Sequence, residues 1–150
     1  MVFLDILNTA LKEALKSRDE LRVSVIRMIK ASLKNKEIEK MSSLSDEEIL
    51  SVLSTLAKQR RESIEQYSAA GRTDLSDKET KELEIILSYL PKQLPADELD
   101  DIIRTAISES GASSPNDIGK VMKVLMPKVK GTADGKVVNQ RVREFLGAKS

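Results

Sequence analysis

The sequence predicts an all-α fold, with an N-terminal helical bundle followed by a small three-helix C-terminal domain. Apolar residues recur at steps of three and four along most of the chain, and no alternating run bounded by turn residues indicates a β-hairpin. Pro91 and Pro95 lie so close together that one regular helix cannot pass through both. We therefore place the division there, with domains at residues 1–92 and 93–150. The chain has 150 residues, of which 40% are hydrophobic, so a core can be buried.

The first two predicted helices are separated by a short turn. Leucines at helical spacing predict a first helix from about Phe3 to Ser17. Arg18 and Asp19 form the predicted turn. The second helix then extends to about Lys40, and its inward positions carry valine, isoleucine, methionine and leucine.

Two capping boxes are predicted to open the third and fourth helices. Ser45 followed by Glu48 has the spacing at which each side chain satisfies a free backbone N–H of the other residue. The third helix then continues to about Ala70, and Gly71 ends it. Ser76 with Glu79 repeats the pattern and is expected to open the fourth helix, which runs to about residue 90.

The C-terminal domain is expected to contain three shorter helices. The first spans about Ala96 to Ser110. Ser114 and Pro115 then provide an N-cap and a proline at the first helical position, and this helix should stop at Pro127. Asp134 can cap the last helix.

Composition excludes several classes of active site. The chain contains neither cysteine nor histidine, which removes thiol nucleophiles, thiolate metal sites and histidine general bases. Gly119 and Lys120 fail as a phosphate loop, because seven residues separate Gly119 from Gly111 and Val121 follows the lysine. We expect no catalytic residue, no metal site and no cofactor, and we interpret Gly119 as a position where two helices pack closely.

Four acids near the start of the fifth helix are the remaining candidate cation ligands. Carboxylates alone can bind Mg²⁺ or Ca²⁺, but acids in a first helical turn also complement the helix dipole. We favour the structural interpretation for these residues. They are Asp97, Glu98, Asp100 and Asp101.

The N-terminal residues do not resemble a secretory signal. They lack a basic segment, and Asp5 and Asn8 interrupt the apolar stretch. No apolar run approaches the roughly 18 residues needed to span a bilayer. From these absences we expect a cytoplasmic protein with no membrane partner.

Charge is strongly polarised within the C-terminal domain. Residues 96–117 contain six acids and one base, whereas residues 118–143 contain seven bases and one acid, a formal charge of +6. A clustered basic surface is what a phosphate backbone would require. We therefore predict a nucleic-acid-binding surface in this segment. Its candidate residues are Lys120, Lys123, Lys128, Lys130, Lys136, Arg141 and Arg143.

Two further charged regions allow more than one interpretation. Residues 12–40 hold nine bases and five acids, which is also typical of a solvated helix face. Arg60 lies near the apolar stripe of its helix, and Arg72 and Asp74 flank a turn. For these three residues we favour a role in holding the loop to the bundle over a ligand site.

The order of these motifs resembles the GatB/YqeY family, and specifically its small free-standing YqeY-like members. The resemblance covers nearly the whole chain. The matching stretches are residues 25–33, 59–63, 67, 70–72, 74–75, 89–94, 117–122, 126–131 and 133–135.

This resemblance implies a function as well as a fold. The C-terminal part is similar to the tail domain of GatB, a component of the glutamine-dependent amidotransferase that repairs misacylated Glu-tRNA or Asp-tRNA. In that enzyme the tail is associated with tRNA binding, and the chemistry takes place elsewhere. The resemblance therefore implies a non-catalytic tRNA-binding module, which could also associate with a tRNA-modifying or amidotransferase enzyme. The alternatives are a helical protein–protein adaptor and an accessory component of the carbon–nitrogen ligase reaction itself.

Overall fold

The computed structural model describes residues 2–147, which form seven α-helices and one short 3₁₀ turn. No strand occurs in this range, so the all-α prediction is confirmed. The chain divides into two compact units, with the boundary between Leu90 and Pro91. None of the helices in the described range is long and apolar enough to cross a membrane.

The N-terminal unit contains four helices. They are α1 (Val2–Lys16), α2 (Glu20–Lys40), α3 (Asp46–Ala69) and α4 (Thr73–Leu87). Helix α3 packs along α4, and α1 packs on α2. Leu7, Ile26, Leu53 and Ile86 are fully buried in the core between them. This unit is therefore held together by aliphatic side chains, as its low aromatic content requires.

The predicted helix starts at α2 and α3 are confirmed. Arg18 adopts a left-handed backbone with φ of 58°, and the Asp19 carboxylate then accepts the N–H of Arg22 to cap α2. At α3 the Ser45 hydroxyl accepts the N–H of Glu48, while the Glu48 carboxylate accepts the N–H of Ser45.

The predicted start of α4 is wrong. The helix begins at Thr73, so the backbone N–H of Ser76 already donates to the carbonyl of Arg72 at 3.0 Å. Ser76 therefore has no capping role, and its buried hydroxyl donates to the Thr73 carbonyl instead. Glu79 is consequently free to face another helix.

The C-terminal unit contains three helices that pack against one another in pairs. They are α5 (Ala96–Ser110), α6 (Ile118–Val129), preceded by the 3₁₀ turn Pro115–Asp117, and α7 (Gly135–Phe145). Ile103, Leu125, Val138 and Val142 are fully buried at their centre. The Asp134 carboxylate accepts the N–H of Lys136, so the predicted cap of the last helix is confirmed.

Helix α6 does not stop at Pro127 as predicted. Pro127 lies in the last turn and lacks the N–H that would donate to the carbonyl of Lys123, so the helix loses one hydrogen bond there. Val129 is fully buried in the core, and the N–H of Lys130 donates to the carbonyl of Met126 at 2.9 Å. Burial of Val129 thus favours one further half-turn beyond the proline.

The segment before α5 is held against the loop between α6 and α7. The N–H of Leu94 donates to the carbonyl of Thr132 at 2.8 Å, and the Gln93 side chain donates to the carbonyl of Gly131 at 2.8 Å. Gly131 is buried with φ of 80°, a backbone conformation that favours glycine. These bonds fix the loop that connects the two basic helices.

Candidate nucleic-acid interface

The outward face of α6 is basic. Lys120 and Lys123 are exposed and lie on the side of the helix opposite Val121 and Leu125, which face the core. The Lys120 side chain is 69% exposed, and its Nζ lies 3.6 Å from Asp117 Oδ1, a loose contact that a competing anion can replace.

Two cations on this face have no ion pair. Within residues 2–147, neither Lys123 nor Lys130 contacts a carboxylate, and both are exposed. Lys130 directly follows the helix, about two turns beyond Lys123, and falls on the same side. Lys120, Lys123 and Lys130 together form what we call the α6 basic face.

Gly119 adjoins this face and does not have the role that the sequence indicated. It is exposed, and a β-carbon placed there would meet nothing within 4 Å. The expectation that Gly119 allows close helix packing is therefore wrong. The first turn of α6 is instead open to solvent beside Lys120.

The outward face of α7 carries two more bases. Lys136 and Arg143 are exposed and lie seven residues apart, about two helical turns, so they share one side of the helix. The Arg143 Nε donates to Asn139 Oδ1 at 2.9 Å, which holds the guanidinium along the helix surface. This pair is the α7 basic face.

Lys128 is directed toward α5 rather than outward. Its Nζ lies 2.8 Å from Glu109 Oε2, and both side chains are about half exposed. The pair connects the end of α6 to the end of α5. Lys128 therefore contributes to the packing of the unit while its charge is locally neutralised.

Arg141 makes more ionic contacts than any other of the seven candidates whose contacts are described. Its Nε and Nη2 donate to the two oxygens of Asp100 at 3.0 and 2.7 Å, and it also pairs with Glu144. The guanidinium lies 5.2 Å from the ring centroid of Phe145. The Arg141 hydrogen bond lowers the pKa of Asp100, which keeps that carboxylate ionised.

The structure thus divides the seven predicted residues. Five occupy the outward faces of α6 and α7, and two connect these helices to acids of α5. Sequence spacing separated Arg141 from Arg143, but it contained no signal that would assign Lys128 to Glu109, nineteen positions earlier. Of the four acids near the start of α5, Asp100 holds Arg141, a role that the dipole argument did not predict.

The turn before α6 has a capping acid that also positions Lys120. Asp117 accepts the backbone N–H groups of Ser113 and Ser114, at 3.0 and 3.3 Å. The Ser113 bond is the main cause that lowers the pKa of Asp117, and Lys120 adds to it. Asp117 thus holds the turn at the start of the α6 basic face through these hydrogen bonds.

Arg60 lies between two carboxylates in the N-terminal unit. Its Nε is 2.9 Å from Glu82 and 3.3 Å from Glu79, and its Nη2 contacts the sulfur of Met28. Only 20% of the Arg60 side chain is exposed. This cluster connects α2, α3 and α4, so Arg60 joins helices to one another rather than holding the loop to the bundle as predicted.

Arg72 and Asp74 form a separate, exposed pair at the start of α4. Two guanidinium nitrogens of Arg72 donate to the two carboxylate oxygens of Asp74, each at 3.3 Å. The Arg72 hydrogen bond lowers the pKa of Asp74. The pair lies within the start of α4, and its described contacts do not reach the rest of the bundle, so the expectation that these residues hold the loop to the bundle stays a prediction.

These features define a small helical protein with a basic C-terminal surface and, in residues 2–147, no cluster of three or more residues suited to hold a metal ion. The chain belongs to the family described as Yqey-like protein, whose model matches residues 4–146. The YqeY part of the predicted resemblance is therefore confirmed.

Several curated relatives are named "Altered inheritance of mitochondria protein 41, mitochondrial". The protein from Pyrenophora tritici-repentis is 30% identical, over 99% of this chain and 83% of its own length. The protein from Lachancea thermotolerans is 38% identical, over 71% of this chain and 58% of its own. A third, from Saccharomyces cerevisiae, is 29% identical over 90% of this chain and 78% of its own.

These names contradict the predicted cytoplasmic localisation, because they assign the relatives to mitochondria. The prediction was wrong in its reasoning as well. It rested on the absence of a secretory signal and of a membrane span, and neither feature distinguishes the cytoplasm from the interior of an organelle.

Proposed function

We propose that this protein is a non-catalytic RNA-binding factor whose partner is tRNA, and that it contacts RNA phosphates through the α6 and α7 basic faces. The observation that carries the proposal is the division of the basic residues. Lys123 and Lys130 are exposed and unpaired within the described chain, and Lys120 is only loosely paired. Exposed cations on one face are what a phosphate backbone requires.

The chemistry of the surface favours phosphates over bases. Phe145 is the only aromatic residue in the C-terminal unit, and it is half-buried beneath Arg104 and Arg141. The described surface therefore offers no exposed ring on which a base could stack. Binding through phosphates suits the shape of a folded RNA better than a single strand.

The resemblance of the C-terminal motifs to the tail domain of GatB supports tRNA as the partner. In an accessory role of that kind the protein would hold tRNA while the chemistry takes place on another enzyme. The proposal requires only a compartment that contains tRNA, so it is compatible with the mitochondrial names of the relatives.

Charge reversal on α6 tests this proposal. Binding of the full chain to labelled tRNA is measured by fluorescence anisotropy for the wild type and for Lys120→Glu/Lys123→Glu. We expect the variant to bind at least about 30-fold more weakly near 0.1 M salt, because two phosphate contacts are lost and two repulsions are added.

The control is Lys58→Glu/Lys81→Glu, which changes the net charge equally at two exposed lysines of the N-terminal unit. It should bind much as the wild type does, apart from a small uniform effect of net charge. Equal loss in both double variants would show that binding follows net charge alone. Unchanged binding in the α6 variant would overturn the proposed surface.

A further inference from the structure

A groove lies where the end of α1 meets the start of α2 in the N-terminal unit. Ala14, Leu15 and Val23 provide an apolar floor, and Arg18 and Arg27 stand at its margin with Glu20. Its volume is about 520 Å³. Leu15 remains 49% exposed and Val23 is half-buried, whereas Ala14 is buried, so Leu15 and Val23 supply the accessible apolar surface. We call this feature the α1–α2 groove.

A basic ridge continues from the groove along one flank of α2. Val23, Arg27, Lys30 and Lys34 follow one another at steps of four, three and four, so they line one side of the helix. Within residues 2–147, no carboxylate pairs with Arg18, Arg27, Lys30 or Lys34.

The ridge ends on exposed apolar residues. Ile38 and Met41 continue the same spacing and are 65% and 90% exposed. Free cations therefore lie between two apolar sites, which are the groove at one end and this pair at the other. An exposed arrangement of this kind indicates an interaction surface rather than a solvated helix face.

Arg18 adopts a left-handed backbone conformation at the turn between α1 and α2. Its φ of 58° is a left-handed conformation in which a residue with a β-carbon is less stable than glycine. Within residues 2–147, Met41 and four glycines share this conformation. The Arg18 side chain lines the groove from this turn.

We propose that the α1–α2 groove and the basic ridge bind an acidic amphipathic helix of a partner protein. An apolar side chain of that helix occupies the floor between Leu15 and Val23. Its carboxylates pair with Arg18 and Arg27 at the margin and with Lys34 along the ridge. This surface lies on the N-terminal unit and is separate from the RNA surface proposed above.

The shape and chemistry favour a protein segment over the other anionic partners. An RNA backbone has no aliphatic group with which to cover Leu15 and Val23. A flat bilayer cannot fill a concave site of this volume. A helix with leucines beside glutamates supplies both components at the spacing of the ridge.

The probe is a fluorescein-labelled helical peptide of about 16 residues, in which leucines at positions i and i+4 are flanked by glutamates. We expect the full chain to bind it, and Arg18→Glu/Arg27→Glu to weaken binding about tenfold or more at low salt. A peptide with lysines in place of the glutamates should instead bind Arg18→Glu/Arg27→Glu more tightly than it binds the wild type. The control Lys58→Glu/Lys81→Glu should bind the acidic peptide as the wild type does.

A second variant separates binding from folding. Arg18→Gly relieves the left-handed backbone, so it should not lower the melting temperature, yet it should weaken peptide binding severalfold. Two results together would overturn the proposal. Arg18→Gly would bind the peptide with wild-type affinity, and Arg18→Glu/Arg27→Glu would bind it as tightly as the Lys58→Glu/Lys81→Glu control does. The proposal would also be overturned if the protein, through Arg18 and Arg27, bound phosphatidylserine vesicles or duplex RNA more tightly than the peptide. Self-association of the protein through the groove would overturn it as well.

Discussion

Replacing Lys123 by glutamine should weaken tRNA binding without changing stability. Replacing Lys128 by glutamine should lower stability without weakening tRNA binding. Lys123 is exposed and unpaired in the described chain, so its charge is available to a phosphate. Each phosphate contact contributes about 0.7–0.9 to the slope of log K against log salt, which corresponds to roughly five- to eightfold in affinity at 0.1 M salt. Lys128 is neutralised by Glu109 at 2.8 Å, and removing an exposed pair costs about 0.2–1 kcal/mol.

The assay is a salt titration of tRNA binding alongside thermal unfolding for both variants. Lys123→Gln should flatten the salt slope by nearly one and leave the melting temperature unchanged. Lys128→Gln should keep the slope and lower the melting temperature of the C-terminal unit by about 1–8 °C, given its small size. A loss of slope in Lys128→Gln equal to that in Lys123→Gln would refute the division of the bases into outward and α5-bound sets.

Three further predictions concern stability. The Lys40 ion pair and the Ser45 cap lower the pKa of Glu48 from 4.5 to about 2, so its stabilising effect is complete above pH 4.5 and is lost toward pH 2. Glu48→Gln should therefore flatten the pH dependence of the melting temperature in that window. Ser45→Ala should cost about 1 kcal/mol in denaturant unfolding, whereas Ser76→Ala should cost clearly less. Leu125→Ala should cost about 2–5 kcal/mol and unfold the C-terminal unit at moderate temperature, as circular dichroism would show.

The helices could be predicted because their signals are local. The Ser45 and Asp134 caps each depend on residues within one turn, and the structure forms both. One of the two errors occurred where burial in the core competed with a local signal. The helix after Gly71 began before Ser76, and α6 passed Pro127 because Val129 is buried in the core.

The candidate site was predictable in composition but not in arrangement. Counting charges found the basic segment, and helical spacing separated Arg141 from Arg143. Pairing of Lys128 with Glu109 and of Arg141 with Asp100 depends on how α5 packs against the other two helices. That packing is a tertiary property, so no spacing rule within one helix could assign these two bases to a structural role.

The two proposed surfaces share a physical principle. On both units, cations that lack a partner in the described chain line one flank of a helix, whereas other bases are occupied by neighbouring acids. The difference lies in the apolar neighbours. Leu15 and Val23 accompany the arginines of the N-terminal unit, and no exposed large apolar residue of the described chain lies on the α6 basic face. This difference is the reason for assigning a protein partner to one surface and RNA to the other.

The most direct test of the RNA surface is to titrate tRNA into the isotope-labelled full chain and to follow each backbone amide by NMR. We expect the largest shifts at Lys120, Lys123 and Lys130, with smaller shifts along the outward side of α7 and little change in the N-terminal unit. The shifts should disappear as salt is raised, because the contacts are to phosphates. Shifts confined to α2, or none at a tRNA concentration that saturates a binding assay, would contradict the assignment of RNA binding to α6 and α7.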